Sequence, residues 1–318
     1  LSYMKKLRTA VVGEGYLGRF HAQKHAASEH SDLIAVVDSN EARAKEVAEG
    51  LGCAWFRDAS ELIGKVDAVS IAAVTQMHYD LAKLFLENNI HVLVEKPITA
   101  DSSQGQELCE LAKKNSLKLQ VGHIERFNPA LQSVKEKLRA KPLFIEVHRL
   151  APFKPRATDV DVVLDLMIHD LDVILSLVDS PVKEVKAVGV PVLTKAVDIA
   201  NARLEFESGT ICNLTASRVS QSAQRKFRVF QEAQYLSIDF GNGEVGLSTK
   251  KEPENEGSLA IDHETWNLEK EDALFLETES FFKAILQDKE VEVSGEDGLE
   301  ALALAEKISQ LARESSAK

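Results

Sequence analysis

Residues 11–21 read Val-Val-Gly-Glu-Gly-Tyr-Leu-Gly-Arg-Phe-His, which sets Gly13, Gly15 and Gly18 between an apolar run (residues 7–12) and a segment that reads as a helix. Each glycine has a mechanical reason: Gly13 for a tight turn, Gly15 so that backbone can approach a pyrophosphate, and Gly18 so that the helix packs close to its strand. The anion would lie on the helix N-terminus, where free N–H groups and the helix dipole favour it. Tyr16 and Leu17 fall in that first turn. A second apolar run, residues 33–37, ends in Asp38, twenty residues past Gly18, where the ribose-binding acid of a dinucleotide site is expected. Asp38 would accept from both ribose hydroxyls and repel a 2′-phosphate. The following Ser39-Asn40 offers no arginine to offset that repulsion, so the pattern predicts NAD rather than NADP.

At 318 residues with 44% hydrophobic side chains, the chain can bury two sizeable cores, and its length points to two domains. No apolar stretch approaches the roughly 20 residues that span a bilayer, and the first residues carry no signal-peptide apolar core. The expectation is a soluble, cytoplasmic protein with no membrane partner. Residues 1–3, ahead of Met4, are set aside from the fold. Cys53, Cys109 and Cys212 lie far apart with no metal-ligand spacing, and read as reduced core thiols. A net charge of −12 gives no general attraction to nucleic acid or anionic membranes, so an anionic ligand would need a local cluster of cations.

Strand and helix signals alternate as far as about residue 122, with strands expected at 9–12, 33–37, 68–72, 91–94 and 117–121. Helical periodicity lies between them, as at 41–51 and 77–87. This alternation implies right-handed crossovers and a doubly wound parallel sheet covered on both faces. After Asn128 the pattern changes to a helix (129–139), a strand (143–150), a polar loop (151–159) and a strongly apolar helix (161–178). Alternating segments at 200–206, 211–219, 226–231 and 235–240 then read as an open, mainly antiparallel sheet, and the end is helical at 280–287 and 298–314. The expected organisation is a dinucleotide-binding domain over residues 4–122 and a second domain over residues 123–318. The C-terminal helix is a candidate to pack back on the first.

Glu95-Lys96-Pro97 directly follows the strand 91–94. Ligands of open parallel sheets bind outside the carboxyl ends of the strands, although Lys-Pro after a strand is also ordinary surface-loop chemistry. In the apolar helix 161–178, Asp165, His169 and Asp172 are spaced i, i+4, i+7 and share one face. That polar stripe needs partners or a polar cavity. Three readings stand side by side: a structural histidine held by Asp165, a metal site without a visible further ligand cluster, and an acid/base histidine oriented by a carboxylate. The third is preferred, and no metal is expected.

Taken together, Gly13-x-Gly15-x-x-Gly18, Glu95-Lys96-Pro97, Gly122-His123-x-x-Arg126-Phe127-Asn128-Pro129 and Asp165-x-x-x-His169-x-x-Asp172 resemble, in order and spacing, the glucose–fructose oxidoreductase, inositol dehydrogenase and rhizopine catabolism (Gfo/Idh/MocA) family. The resemblance covers nearly the whole chain. It implies an α/β protein with an N-terminal Rossmann domain and a C-terminal substrate and oligomerisation domain whose open sheet often forms a dimer interface. It also implies hydride transfer between a sugar or polyol carbon and a nicotinamide, with Lys96, Asp165 and His169 at the catalytic positions and a Lys96-Pro97 bond that is often cis. Thr75, His78, Glu95 and Lys96 become cofactor-side contacts, along with Tyr16 and Leu17. The chain departs from the pattern at Ala73-Val74-Thr75, which lacks a proline. Near the catalytic aspartate, Val162, Val163 and Met167 stand where glycines are common.

Within the family, residues 122–129 and 165–170 look most similar to bacterial members that oxidise C3 of UDP-N-acetylglucosamine-type sugars. His123, Arg126, Asn128, Arg149, Lys154, Arg156 and Arg218 are the expected substrate contacts. Their cations would gather as a local site for a diphosphate, with the loop 151–159 ordering over it. The ketone formed would pass to a separate PLP-dependent aminotransferase, and a homodimer or homotetramer is expected. Two other functions remain open: a dehydrogenase of a free sugar, inositol or other carbonyl compound, and a non-catalytic nicotinamide sensor. A sensor has no need of Lys96, which argues against it.

Overall fold

The computed structural model describes residues 6–154, 160–251, 260–268 and 271–316. The chain divides into two compact units, Leu1–Phe127 with Asp272–Leu302 and Asn128–Glu271 with Ala303–Lys318. A single cut after residue 122 would have counted Asp272–Leu302 with the second domain, whereas this stretch groups with the first unit.

The first unit opens with β1 (Leu7–Val12), α1 (Tyr16–Ala27), β2 (Ser31–Val37), α2 (Glu41–Leu51) and β3 (Ala54–Phe56). It continues with β4 (Ala68–Ile71), α3 (His78–Glu87), β5 (His91–Glu95), α4 (Ser102–Lys114) and β6 (Leu119–Gly122). The six strands form one parallel sheet in the order β3-β2-β1-β4-β5-β6. Val11, Val36, Val69, Leu93 and Val121 are fully buried, as befits strands covered on both faces. Local chemistry sets the helix ends. The Asn40 side chain accepts from the Arg43 N–H to start α2, and Gly52, at φ 71°, ends it in the left-handed conformation that glycine tolerates.

The second unit holds α5 (Pro129–Lys137), β7 (Phe144–Leu150), a π-helical turn (Val163–Met167) and α6 (Ile168–Leu177). Seven strands follow: β8 (Val182–Val190), β9 (Ile199–Phe206), β10 (Ile211–Ser217), β11 (Gln224–Gln231), β12 (Gln234–Asp239), β13 (Glu244–Lys251) and β14 (Ala260–Asn267). They join β7 in an eight-stranded sheet ordered β14-β13-β12-β11-β7-β10-β9-β8. All neighbours are antiparallel except β7 and β10. Hydrophobic patterning did not single out β3, β8, β13 or β14. These strands lie at or next to sheet edges, and β8 and β14 present mostly exposed or half-buried residues, so their apolar alternation is weak.

The chain ends in α7 (Ala273–Leu286) and α8 (Gly295–Ser316). Phe281 and Phe282 of α7 are buried with Leu7, Ala68 and Leu93, covering one face of the parallel sheet. The start of α8 packs hard on β6, for a Cβ at Gly298 would lie 2.5 Å from Val121 Cγ2. No helix among the described residues is long and apolar enough to cross a membrane.

Candidate functional site: a dinucleotide cavity and a second-unit carboxylate–histidine turn

In the first unit, the strand order reverses between β1 and β4, and a cavity of about 570 Å³ opens there. Its wall includes Val12 and Gly13 after β1, Val37 and Asp38 after β2, and Ala72 and Ala73 after β4. This is the crevice in which doubly wound sheets hold ligands. The glycines perform the tasks their spacing suggests. Gly13 sits at φ 94°, and a Cβ there would lie 2.6 Å from the Ala73 nitrogen. A Cβ at Gly18 would lie 1.7 Å from the Gly13 carbonyl oxygen, so only glycine lets α1 approach its strand. A Cβ at Gly15 would meet nothing within 4 Å. Backbone there faces open space at the N-terminus of α1, whose first turn has no side-chain cap. These features fit a dinucleotide, with its diphosphate on α1 and its ribose at Asp38. Tyr16 and Leu17, 79% and 44% exposed, begin the same helix.

Asp38 is fixed before any ligand arrives. Its Oδ2 accepts from the Glu14 N–H at 2.8 Å and its Oδ1 from the Asn40 N–H at 2.7 Å. Ser39 and Asn40 offer no arginine, but one reaches Asp38 from further along the chain. Arg43, in the first turn of α2, brings Nη1 to 3.4 Å from Asp38 Oδ2, and Arg43 and Arg57 both line the cavity. Sequence adjacency missed this pair, because the turn after β2 folds α2 back over the strand end. The Glu14 side chain, in contrast, is fully buried with both carboxyl oxygens unpartnered. Burial, then the Asp38 charge, push its carboxyl up to about 8, with Arg19 acting in the opposite direction.

Lys96 is half-buried just past the carboxyl end of β5, and Lys96-Pro97 is cis. Glu95 does not face open solvent: His21 Nε2 stands 2.8 Å from its Oε1, and its Oε2 accepts from the Lys96 N–H at 3.3 Å. His78 is 1% exposed, with Nδ1 2.8 Å from the Pro97 carbonyl and Nε2 3.0 Å from that of Ala73. Burial lowers its pKa despite these two acceptors. A neutral imidazole donates only once, so His78 hydrogen-bonds one of these two carbonyls at a time. Thr75 lies half-buried in the short turn before α3. His123 and Arg126 are also buried, and Arg126 Nη2 stands 3.8 Å from Asp297 Oδ1.

In the second unit, Asp161 accepts from the Val163 and Leu164 N–H groups at 3.2 Å and from the Ser309 hydroxyl at 3.0 Å. It thereby starts the π-helical turn that carries Asp165, with His169 following in α6. Such turns recur at functional sites because they widen the helix and re-aim its side chains. Asp165 and His169 are half-buried, whereas Asp172 is 1% exposed. Asn128 caps α5, accepting from the Ala130 N–H at 3.0 Å.

Two of the expected diphosphate cations are engaged elsewhere. Arg149 forms a buried bidentate pair with Asp170, Nε–Oδ2 at 2.7 Å and Nη2–Oδ1 at 2.8 Å. Arg218 donates to Asp198 Oδ1 at 2.8 Å, to the Val160 carbonyl at 2.6 Å and to Thr194 Oγ1 at 3.1 Å. Burial opposes the Asp198 charge, yet the Thr194 N–H, Arg218 and the Leu193 N–H hold its carboxyl well below the usual carboxylate range. Withdrawing either arginine would strand a buried carboxylate, so neither is a free anion ligand. Lys154 is exposed, and Arg156 lies outside the described residues.

Residues 7–123 match the oxidoreductase family with an NAD-binding Rossmann fold, and residues 144–237 match the GFO/IDH/MocA C-terminal domain. Over 302 residues, 95% of this chain and 96% of the other, the sequence is 41% identical to UDP-N-acetylglucosamine 3-dehydrogenase from Acidithiobacillus ferrooxidans. A solved structure of that name from the same organism superposes with a TM-score of 0.93 at 39% identity, covering 98% of this chain and 99% of that one. Inositol 2-dehydrogenase from Rhizobium meliloti is 27% identical over 94% of this chain and 95% of its own length. The chain belongs to the Gfo/Idh/MocA family of NAD-binding oxidoreductases.

Proposed function

We propose that this protein is an NAD-dependent dehydrogenase that oxidises the C3 hydroxyl of a UDP-N-acetylglucosamine-type nucleotide sugar to a ketone. The observation that carries this reading is the 41% identity to the A. ferrooxidans enzyme across both domains, against 27% to the R. meliloti inositol enzyme over a similar span. Bound NAD would supply the hydride acceptor. Gly13, Gly15 and Asp38 would hold it, with Asp38 favouring the free 2′-hydroxyl over a 2′-phosphate.

His169 takes the hydroxyl proton, for which a group titrating near neutrality is suited. Asp165 orients that histidine. Lys96 stabilises the alkoxide as it develops. With Arg149 and Arg218 committed to internal pairs, recognition of the diphosphate falls to Lys154 and Arg156. A ketone on a nucleotide sugar is a substrate for a PLP-dependent aminotransferase, which is the expected next enzyme. The open eight-stranded sheet suits a homodimer or homotetramer interface. Three free cysteines support a reducing, cytoplasmic setting.

The deciding measurement is NAD reduction with UDP-N-acetylglucosamine, its uronate, free N-acetylglucosamine and myo-inositol, with an aminotransferase present to trap the ketone. Turnover confined to the nucleotide sugars supports the reading. Comparable turnover of the free sugar or of inositol overturns it.

A further inference from the structure

His21 of α1, Glu95 of β5 and Glu277 of α7 converge inside the first unit, with one side-chain N or O atom from each lying within 4.8 Å of the others. His21 and Glu277 are fully buried. Among the described residues, His21 Nδ1 and both carboxyl oxygens of Glu277 have no hydrogen-bond partner. Nearby charges are already engaged. On α1, Lys24 pairs with Asp272 at 2.6 Å, and His25 bonds to Thr9 and Ser70. On α7, Glu279 is held by Ser28 and His30, with Lys283 3.5 Å away. On β5, His91 accepts from the Lys118 N–H. Arg126 faces Asp297 from the turn after β6, where Glu125 is its neighbour.

Two ionised carboxylates this close in an interior repel each other and lose hydration, and a single proton between them removes both penalties. It also supplies the missing donor. A Glu95 carboxylate accepting from His21 Nε2–H leaves Nδ1 as an acceptor, and protonated Glu277 carries an O–H. We propose that the pair of Glu95 and Glu277 holds one proton, carried by Glu277, and that Glu277 as the neutral acid is a positioning residue: by staying uncharged it leaves Glu95 a carboxylate that pairs with His21 and accepts from the Lys96 N–H. Burial and the Glu95 charge push the Glu277 carboxyl well above the usual range, while His21 and Lys96 hold Glu95 below it against the effect of burial. The functional half of this inference rests on the proposed role of Lys96.

The proton pair is tested first without turnover, by infrared difference spectroscopy of the full chain against Glu277→Gln. The expected result is a protonated-carboxyl stretch in the unmodified protein that the variant lacks. If the variant does not fold, the band is read in Glu14→Gln, where the other buried acid with a raised pKa no longer contributes and a surviving band reports Glu277. Absence of the band, or stoichiometric Zn²⁺ lost on Glu277→Gln, overturns the pair. In turnover, Glu277→Leu should lower kcat about ten- to hundredfold with little change in the sugar KM. Glu277→Gln, which keeps the shape and neutrality of the protonated acid, should restore most of it. Failure of Gln to restore kcat overturns the positioning role. A protein that shows the band yet oxidises no nucleotide sugar supports the pair while overturning the proposed reaction.

Discussion

Arg43 Nη1 stands 3.4 Å from Asp38 Oδ2 on the wall of the dinucleotide cavity. An acid alone at this position would repel a 2′-phosphate, whereas an acid with a guanidinium beside it repels one less. The Arg43 side chain is 41% exposed, so its contribution is of the order of a solvated pair, about 0.5–1 kcal/mol. The protein should prefer NAD, and Arg43→Ala should widen the preference about two- to fivefold by weakening NADP. Asp38→Ala with Ser39→Arg should erode or reverse it. Dissociation constants for both dinucleotides check this, and equal affinities in the unmodified protein would remove Asp38 as the selector.

The bidentate pair of Arg149 and Asp170 predicts a stability effect where substrate recognition was expected. Truncating Arg149 to Ala leaves a buried carboxylate unpaired, a loss of roughly 3–5 kcal/mol. Replacing both partners, as in Arg149→Met with Asp170→Leu, should recover most of it. Urea denaturation of the three proteins measures the difference. A single variant as stable as the parent, but with weakened UDP-sugar binding, would return Arg149 to the diphosphate.

These two pairs mark where reading the chain succeeds and stops. Gly13, Gly15, Gly18 and Asp38 were legible because each acts through local geometry, a turn or a strand end, that neighbouring residues specify. Arg43 was not, since its approach to Asp38 depends on the path of the turn between β2 and α2. Arg149 read as a free cation because its partner lies on a helix after an intervening loop, and charge alone does not distinguish a paired arginine from an available one. The π-helical turn at Val163–Met167 left no signal in an apolar run that fits an α-helix equally well. Glu277 had no signal at all: it meets Glu95 only once α7 has returned to the parallel sheet.

Lys96→Met tests the chemistry of the site. The substitution keeps a flexible side chain of similar length and removes the cation. Turnover of the nucleotide sugar should fall by roughly 10²-fold or more, the usual scale for an acid/base or oxyanion-stabilising group. Dinucleotide affinity should change little, because the cavity wall at Gly13, Gly15 and Asp38 is untouched. Near-normal kcat in this variant would remove Lys96 from the reaction.

Glu14 predicts how stability varies with pH. Its ordinary value is 4.5, and burial with the Asp38 charge raises it to about 8 in the folded chain. Between those values the folded protein keeps a proton that the unfolded chain has released, so raising the pH favours unfolding. This group's stabilisation is therefore greatest below 4.5, declines through the interval, and levels off above about 8. Its slope is at most about 1.4 kcal/mol per pH unit. Glu14→Gln keeps the size and neutrality of the buried acid and has nothing to ionise, so its urea midpoint should fall less than the parent's between about pH 6 and 8. The variant should also be the more stable protein at the alkaline end. Parallel midpoints for the two proteins across that interval would mean that Glu14 is already ionised in the folded state.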